Sequence, residues 1–131
     1  MSATRPLRVL VVDDDRDTAE STAYLLALHG FRAAPARGGA EAVRLASADP
    51  PDVALVDLVM PGMDGFAVAA RLRELGRPRP PVLVAVTGLA TDGDRARAEA
   101  AGFARYLVKP VPPEELVALL ARRGAVGAGT A

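Results

Sequence analysis

Four stretches of the sequence carry the groups that could do chemistry. Residues 10–15 read Leu-Val-Val-Asp-Asp-Asp, and Asp57 closes the run Val-Ala-Leu-Val. Thr87 closes Val-Leu-Val-Ala-Val, and Lys109-Pro110 follows Tyr-Leu-Val. Each group sits just after a short apolar run, where a strand would end. Carboxylates gathered there would repel one another, and without a cation at least one would hold its proton more tightly. A hard divalent ion relieves the conflict, because Mg2+ (or Mn2+) takes oxygen ligands and keeps positions for waters and phosphate oxygens. Residues 13–20 alone hold five acids against Arg16, a local net charge of −4 (1 − 5). A carboxylate can also attack phosphorus and form an acyl phosphate. The transferred group carries charge on its equatorial oxygens, which a metal and a protein cation must meet. Lys109 is such a cation: its compact ammonium can touch a carboxylate and a phosphoryl oxygen, where Arg would bring a wider planar fork. The Thr87 hydroxyl could donate to a phosphoryl oxygen, although alone it reads as a β-branched strand end. Asp15 and Asp17 read equally well as caps of the helix that follows.

The elements that must position these groups alternate along the chain. Apolar, β-branched runs at 7–12, 53–56 and 82–86 suit strands covered on both faces. Weaker runs at 31–34 and 105–108 complete a set of five. Helix-length segments lie between them at 16–29, 39–47, 64–75, 92–101 and 113–122. The first presents Thr18, Ser21, Thr22, Leu25 and Leu28 on one side, with Gly30 as a stop. The fourth starts at Asp92 or Asp94 as its cap, and the fifth starts Pro-Glu-Glu with Leu116, Leu119 and Leu120 on one face. Strand–helix alternation with short loops implies parallel strands and right-handed crossovers. The expected fold is α/β: a flavodoxin-like (βα)5 three-layer sandwich with sheet order 2-1-3-4-5. Ligands bind such sheets at the carboxyl ends of the strands, near the first and third. That edge would gather Asp13, Asp14, Asp57, Thr87 and Lys109. The domain is expected over 7–122, with an N-terminal tail at 1–6 and a flexible C-terminal tail at 123–131.

Composition narrows the function classes. The 131 residues suit one domain. Sixteen basic and sixteen acidic residues give zero net charge, which argues against binding nucleic acid by bulk electrostatics. Aromatics are 4%, too few for stacking platforms. The absence of Cys removes disulfides, thiolate metal sites and cysteine nucleophiles, and the single His29 leaves little material for a histidine cluster or a Ser-His-Asp triad. No apolar run is long enough to span a membrane, and no signal peptide is visible, so a cytoplasmic chain is expected. Fifteen of the sixteen basic residues are Arg, so the lone Lys109 stands against a chain-wide bias.

Taken together, Leu-Val-Val-Asp-Asp-Asp at 10–15, Asp-Leu-Val-Met-Pro-Gly-Met-Asp-Gly at 57–65, Val-Thr-Gly at 86–88 and Tyr-Leu-Val-Lys-Pro at 106–110 resemble a receiver domain of two-component response regulators. The resemblance covers residues 7–122, with all four pieces in order. It implies that Asp57 is the phosphoacceptor, taking a phosphoryl group from a histidine kinase or a histidine phosphotransfer protein. It implies Mg2+ held by Asp14, Asp57 and the backbone carbonyl of Val59, with Asp13 beside it or acting through water. Lys109 would pair with Asp57 and then with the phosphoryl group. Thr87 would move toward that group and Tyr106 would turn inward, reshaping the face of the fourth helix, fifth strand and fifth helix for a downstream protein target. The resemblance also implies a cis peptide before Pro110. Such a domain is not an enzyme toward other molecules; it assists its own phosphorylation and dephosphorylation.

The chain departs from the family's pattern in places. Gly88 stands where Ala is usual, and Val111 where Phe is common. Val59 and Leu89, which flank the phosphoryl site in the family, are apolar, and slow self-dephosphorylation is expected. Pro61 and Gly65 shape the loop after Asp57, with Gly65 supplying backbone freedom; Met60 and Met63 read as packing. His29 reads as an exposed side chain far from the site. A phosphatase with an aspartyl nucleophile would want an acid where Val59 stands, and a flavin carrier would not place three aspartates on its phosphate loop. A receiver that only binds partners is a further alternative. No DNA-binding helices follow residue 122. The chain reads as a stand-alone receiver, favoured by Met1 and the tail, or as a module of a hybrid histidine kinase.

Overall fold

The computed structural model describes residues 5–89 and 91–130, the last eight as backbone only. Five strands, β1 (Arg8–Val12), β2 (Arg32–Ala36), β3 (Val53–Val56), β4 (Val82–Thr87) and β5 (Phe103–Val108), alternate with five helices. These are α1 (Arg16–Leu28), α2 (Gly39–Ala48), α3 (Gly65–Leu75), α4 (Asp92–Ala100) and α5 (Pro113–Thr130). All strand pairs are parallel and the order is β2-β1-β3-β4-β5, as the alternation predicts.

The runs are continuously apolar because both sheet faces are covered. Side chains alternate along a strand, so odd and even positions enter different cores. Val9, Val11, Val53, Leu55 and Val84 pack with Leu26 of α1 and Leu116, Leu119 and Leu120 of α5. Leu10, Val12, Ala54, Val56, Leu83 and Ala85 pack with Ala42 and Ala46 of α2, Val68 and Leu72 of α3, and Ala98 of α4. The result is a helix–sheet–helix sandwich. No helix among the described residues is long and apolar enough to cross a membrane.

Three local expectations are corrected. The buried face of α1 is Ala19, Ala23 and Leu26, while Leu28 stands 65% exposed. The stripe of larger residues is displaced because the small alanines let the helix lie close to the sheet. Helix α4 is capped by Thr91, whose hydroxyl accepts from Asp94 N–H at 3.0 Å while the Asp94 carboxylate accepts from Thr91 N–H. Asp94 is thus the third residue of a capping box and not the cap itself. Gly65 has no positive φ, unlike Gly62 at +81° in the same loop. Gly65 is needed for space: a Cβ there would collide with the Asp57 carbonyl oxygen and lie 2.5 Å from Leu58 Cα.

Residues 1–4 of the expected N-terminal tail lie outside the described residues, and Arg5 is tied to Asp52 by two hydrogen bonds. The carboxyl end also differs from expectation. Helix α5 continues to Thr130, across residues 123–130 that the sequence reads as a tail. Once packing nucleates a helix, each added residue gains a backbone bond at small cost.

Helix α4 is held differently from the others. It buries only Ala98. Besides the Arg73 hydrogen bond to the carbonyl of its C-cap Ala101, its side chains attach through rings: the Arg97 guanidinium lies 3.9 Å over Phe66 and the Arg95 guanidinium 4.9 Å over Tyr106. Each such contact contributes about 0.5–1 kcal/mol at an exposed site, against about 1.5–3 kcal/mol for a fully buried Val or Leu. Among the described residues this helix buries the fewest side chains of the five.

Candidate functional site

The sheet ladder itself gathers the predicted residues. Val12 is registered with Val56, and one step on Asp57 N–H donates to the Val12 carbonyl at 3.0 Å. Asp13 N–H donates to the Ala36 carbonyl at 3.0 Å. On the other side Thr87 is registered with Val108, and Lys109 N–H donates to the Thr87 carbonyl at 2.8 Å. The ladder therefore runs one residue past each strand and fixes the backbones of Asp13, Asp57 and Lys109 along one edge. The peptides before Pro78 and Pro110 are cis.

Side-chain geometry follows. Lys109 Nζ donates to Asp13 Oδ2 at 2.8 Å and to Asp57 Oδ2 at 3.1 Å. Asp57 Oδ1 accepts the Val59 N–H at 3.0 Å, and Asp13 Oδ1 accepts the Asp15 N–H at 2.9 Å. Asp13 and Asp57 are 5% and 8% exposed, while Asp14 is exposed. One carboxylate oxygen from each of Asp13, Asp14 and Asp57 falls within 4.8 Å of the others. Burial alone would lower the Lys109 pKa, but the hydrogen bonds and charges of Asp13 and Asp57 outweigh it and hold the ammonium above its ordinary value. Lys109 therefore stays charged throughout the neutral range.

The donor set suits a hard divalent cation: three carboxylates with all-oxygen chemistry, two of them buried, and only one ammonium against three negative charges. A cleft of about 480 Å³ opens beside Asp57 and Lys109, bounded by Thr18, Val86 and Val111. Val59, 57% exposed, presents an apolar side chain at this edge.

Thr87 is fully buried, and its Oγ1 accepts the Leu89 N–H at 3.3 Å. The Tyr106 hydroxyl donates to the Leu89 carbonyl at 2.6 Å. The ring is partly buried, and that burial, with the nearby Asp94 charge, raises the phenol pKa despite Arg95. Leu89 thus touches Thr87 through its N–H and Tyr106 through its carbonyl. Sequence reading missed this link, since backbone groups leave no trace in residue identity. Its one signal was the two-residue spacing after Thr87, which permits a local turn. Asp15 caps α1, accepting from Asp17 N–H at 3.1 Å and from the Thr18 hydroxyl at 3.0 Å. Those bonds lower its pKa, the Thr18 hydroxyl most. Met60 is buried and Met63 packs over Gly39, in keeping with a packing role. His29 is exposed at the end of α1, its Nδ1 3.0 Å from the Leu25 carbonyl.

Comparison with known proteins agrees with this geometry. Residues 9–121 match the family described as the response regulator receiver domain. The transcriptional regulatory protein PrrA of Mycobacterium tuberculosis is 42% identical over 121 residues, which cover 89% of this chain and 51% of PrrA. The chain thus spans about half of that relative. An uncharacterized 14.6 kDa protein from the sodA1 3′ region of Leptolyngbya boryana is 37% identical over 120 residues, covering 92% of each. Among solved structures, the chemotaxis protein CheY4 of Vibrio cholerae superposes with a TM-score of 0.80 at 28% identity, covering 89% of this chain and 98% of that one. A CheY-like receiver domain protein from Methanospirillum hungatei gives 0.83 at 26%, covering 96% and 99%.

Proposed function

The chain belongs to the response regulator receiver domain family, and from that premise we propose that Asp57 accepts a phosphoryl group from a phosphohistidine on a histidine kinase or phosphotransfer protein. The observation that carries the reading is Lys109 Nζ bridging Asp13 and Asp57 beside a three-carboxylate cluster.

In the transfer, an Asp57 carboxylate oxygen forms the new P–O bond as the P–N bond to the partner's imidazole breaks. The electron pair leaves on the nitrogen, and the product is an aspartyl phosphate. Asp13, Asp14, Asp57 and the Val59 carbonyl would hold Mg2+ (or Mn2+). When bound, the ion offsets negative charge on the phosphoryl oxygens. Lys109 exchanges its bond to Asp57 Oδ2 for one to the phosphoryl group, keeping Asp13 as its second partner. The Thr87 hydroxyl turns toward the phosphoryl group and gives up the Leu89 N–H. Because Leu89 also holds the Tyr106 hydroxyl, that step is felt at Tyr106, at Arg95 stacked on it, and at α4, which buries only Ala98. The output is a changed α4–β5–α5 face presented to a protein target. The chain is a phosphoacceptor and not a hydrolase: Val59 stands where an aspartyl phosphatase would need an acid.

Incubation with acetyl phosphate and Mg2+ followed by intact mass tests this reading. One phosphate adduct is expected, absent in Asp57→Ala. The adduct should outlast a seconds-scale lifetime, since exposed Val59 places apolar surface where a hydrolytic water would enter. No adduct in the wild type, or an adduct that persists in Asp57→Ala, overturns the assignment.

A further inference from the structure

We infer that the crevice between β5 and α5, at the amino edge of the sheet, docks a peptide segment carrying an apolar side chain flanked by carboxylates. The crevice has a volume of about 240 Å³, with Val82, Val84, Leu119 and Leu120 as its floor and Arg105 and Arg122 at its rim. The edge strand is irregular here. Registration steps from Leu83↔Phe103 to Val84↔Arg105, leaving Ala104 as a bulge. Bulges at sheet edges end regular pairing and re-aim side chains.

The charge at this rim is unmatched among the described residues. Most arginines among the described residues are engaged: Arg5, Arg8, Arg16, Arg32, Arg37 and Arg44 pair with acids. Arg73 donates to the Ala101 carbonyl, and Arg95 and Arg97 lie over rings. Neither Arg105 nor Arg122 makes an ion pair or a side-chain hydrogen bond with a described residue, and both are exposed. Arg71, Arg77 and Arg79 are also exposed without such partners, but they do not line this crevice. The acid beside Val53, Asp52, is already held by Arg5 and by Arg8 N–H.

An apolar pocket between two guanidiniums that pair with no described residue complements a segment that inserts one apolar side chain and aligns carboxylates with the rim. A nucleic-acid backbone would gain nothing from the floor, which offers no aromatic ring for a base. The inference deepens the output-face reading and rests on it for its role, because Tyr106 directly follows the rim residue Arg105 on β5.

The full 15N-labelled chain, titrated with the acetylated peptide Asp-Glu-Leu-Phe-Glu-Asp, tests it. Saturable shifts are expected at residues 104–105 and 119–122. Arg105→Glu/Arg122→Glu, with an unchanged melting temperature, should weaken binding by about tenfold or more. A peptide with Lys at each acidic position should not bind. Shifts elsewhere, indifference to the double variant, or equal shifts from a single-stranded oligonucleotide would overturn the inference. Phosphorylation is read by intact mass on aliquots of the same protein incubated with acetyl phosphate and Mg2+. An intact aspartyl-phosphate adduct without peptide binding sinks this site alone. Peptide binding without an adduct sinks the phosphoacceptor reading and leaves the site standing.

Discussion

At the amino edge of the sheet, Asp49 and Asp52 meet three arginines; at the carboxyl edge, Asp13, Asp14 and Asp57 meet one lysine. The amino-edge set is matched and open to water. Arg5 holds Asp52 with two bonds of 3.0 and 2.9 Å, and Arg8 and Arg32 share Asp49 at 2.7 and 3.2 Å. Such exposed pairs contribute about 0.2–1 kcal/mol each. The carboxyl-edge set has three negative charges to one positive, two of the carboxylates are buried, and a single ammonium bridges both of those. The same chemical types therefore do different work. Where acids are matched by arginines they brace the fold. Where they exceed their cations they create a demand that a bound metal ion can meet.

The largest expected effect is at the bridge. Lys109→Arg keeps the charge but replaces a point donor, seated 2.8 and 3.1 Å from two carboxylates, with a planar fork. Phosphorylation by acetyl phosphate should persist by mass, while the response at α4 and Tyr106, read by hydrogen exchange, is lost. Normal switching in this variant would make Lys109 interchangeable with the arginines of the other edge and break the contrast.

Next is the backbone under the acceptor. Gly65→Ala drives a Cβ into the Asp57 carbonyl and Leu58 backbone, and should cost about 1–3 kcal/mol in urea unfolding. Gly39→Ala meets the Met63 side chain, with no backbone atom among its nearest contacts, and should cost less. Equal costs would mean that the acceptor loop yields as readily as a methionine.

Neutralising an acid should have opposite signs at the two edges. Asp14→Asn relieves like-charge repulsion and should raise the melting temperature without metal. Mg2+ at a hundredfold excess over its dissociation constant should stabilise the wild type by about 2.7 kcal/mol, an effect weakened in the variant. A variant less stable than wild type without metal would contradict the excess-acid description.

Asp52→Asn should destabilise, by about 0.2–1 kcal/mol. Burial would raise the Asp52 pKa, but the Arg5 hydrogen bonds and the Arg8 N–H outweigh it, so the folded value lies below the ordinary 3.8. A depressed carboxylate contributes its full stability above the unfolded value and loses it as pH falls through the folded one. The wild-type acid limb below pH 3.8 should therefore be steeper than that of Asp52→Asn. Superimposable limbs would remove the bracing role of the amino edge.

Much of this could be read in the sequence, for definite reasons. A strand covered on both faces must be apolar at every position, so the runs at 7–12, 53–56 and 82–86 announce themselves. Parallel strands separated by helices leave few topologies, and the order 2-1-3-4-5 followed. The α5 face of Leu116, Leu119 and Leu120 was legible because its residues are large and apolar. The α1 face was not, because alanines carry little hydropathy signal and win by size. Gly65 was recognised for the wrong property: its φ is ordinary, and only the fold shows that the acceptor backbone lies against it.

The sequence by itself determined the element types, the sheet order and which five residues reach one edge, because these follow from side-chain periodicity and the rules of chain connection. Beyond the Lys109–Asp57 pair that the resemblance implies, tertiary structure decided which acids meet which cations. Asp13 and Lys109 are 96 residues apart, and nothing local distinguishes the Asp13 carboxylate from those that meet arginines at the opposite edge. It also decided that Leu89, through backbone atoms common to every residue, stands between Thr87 and Tyr106. Electrostatic balance and backbone contacts depend on distances across the sheet, and distance is what a sequence does not contain.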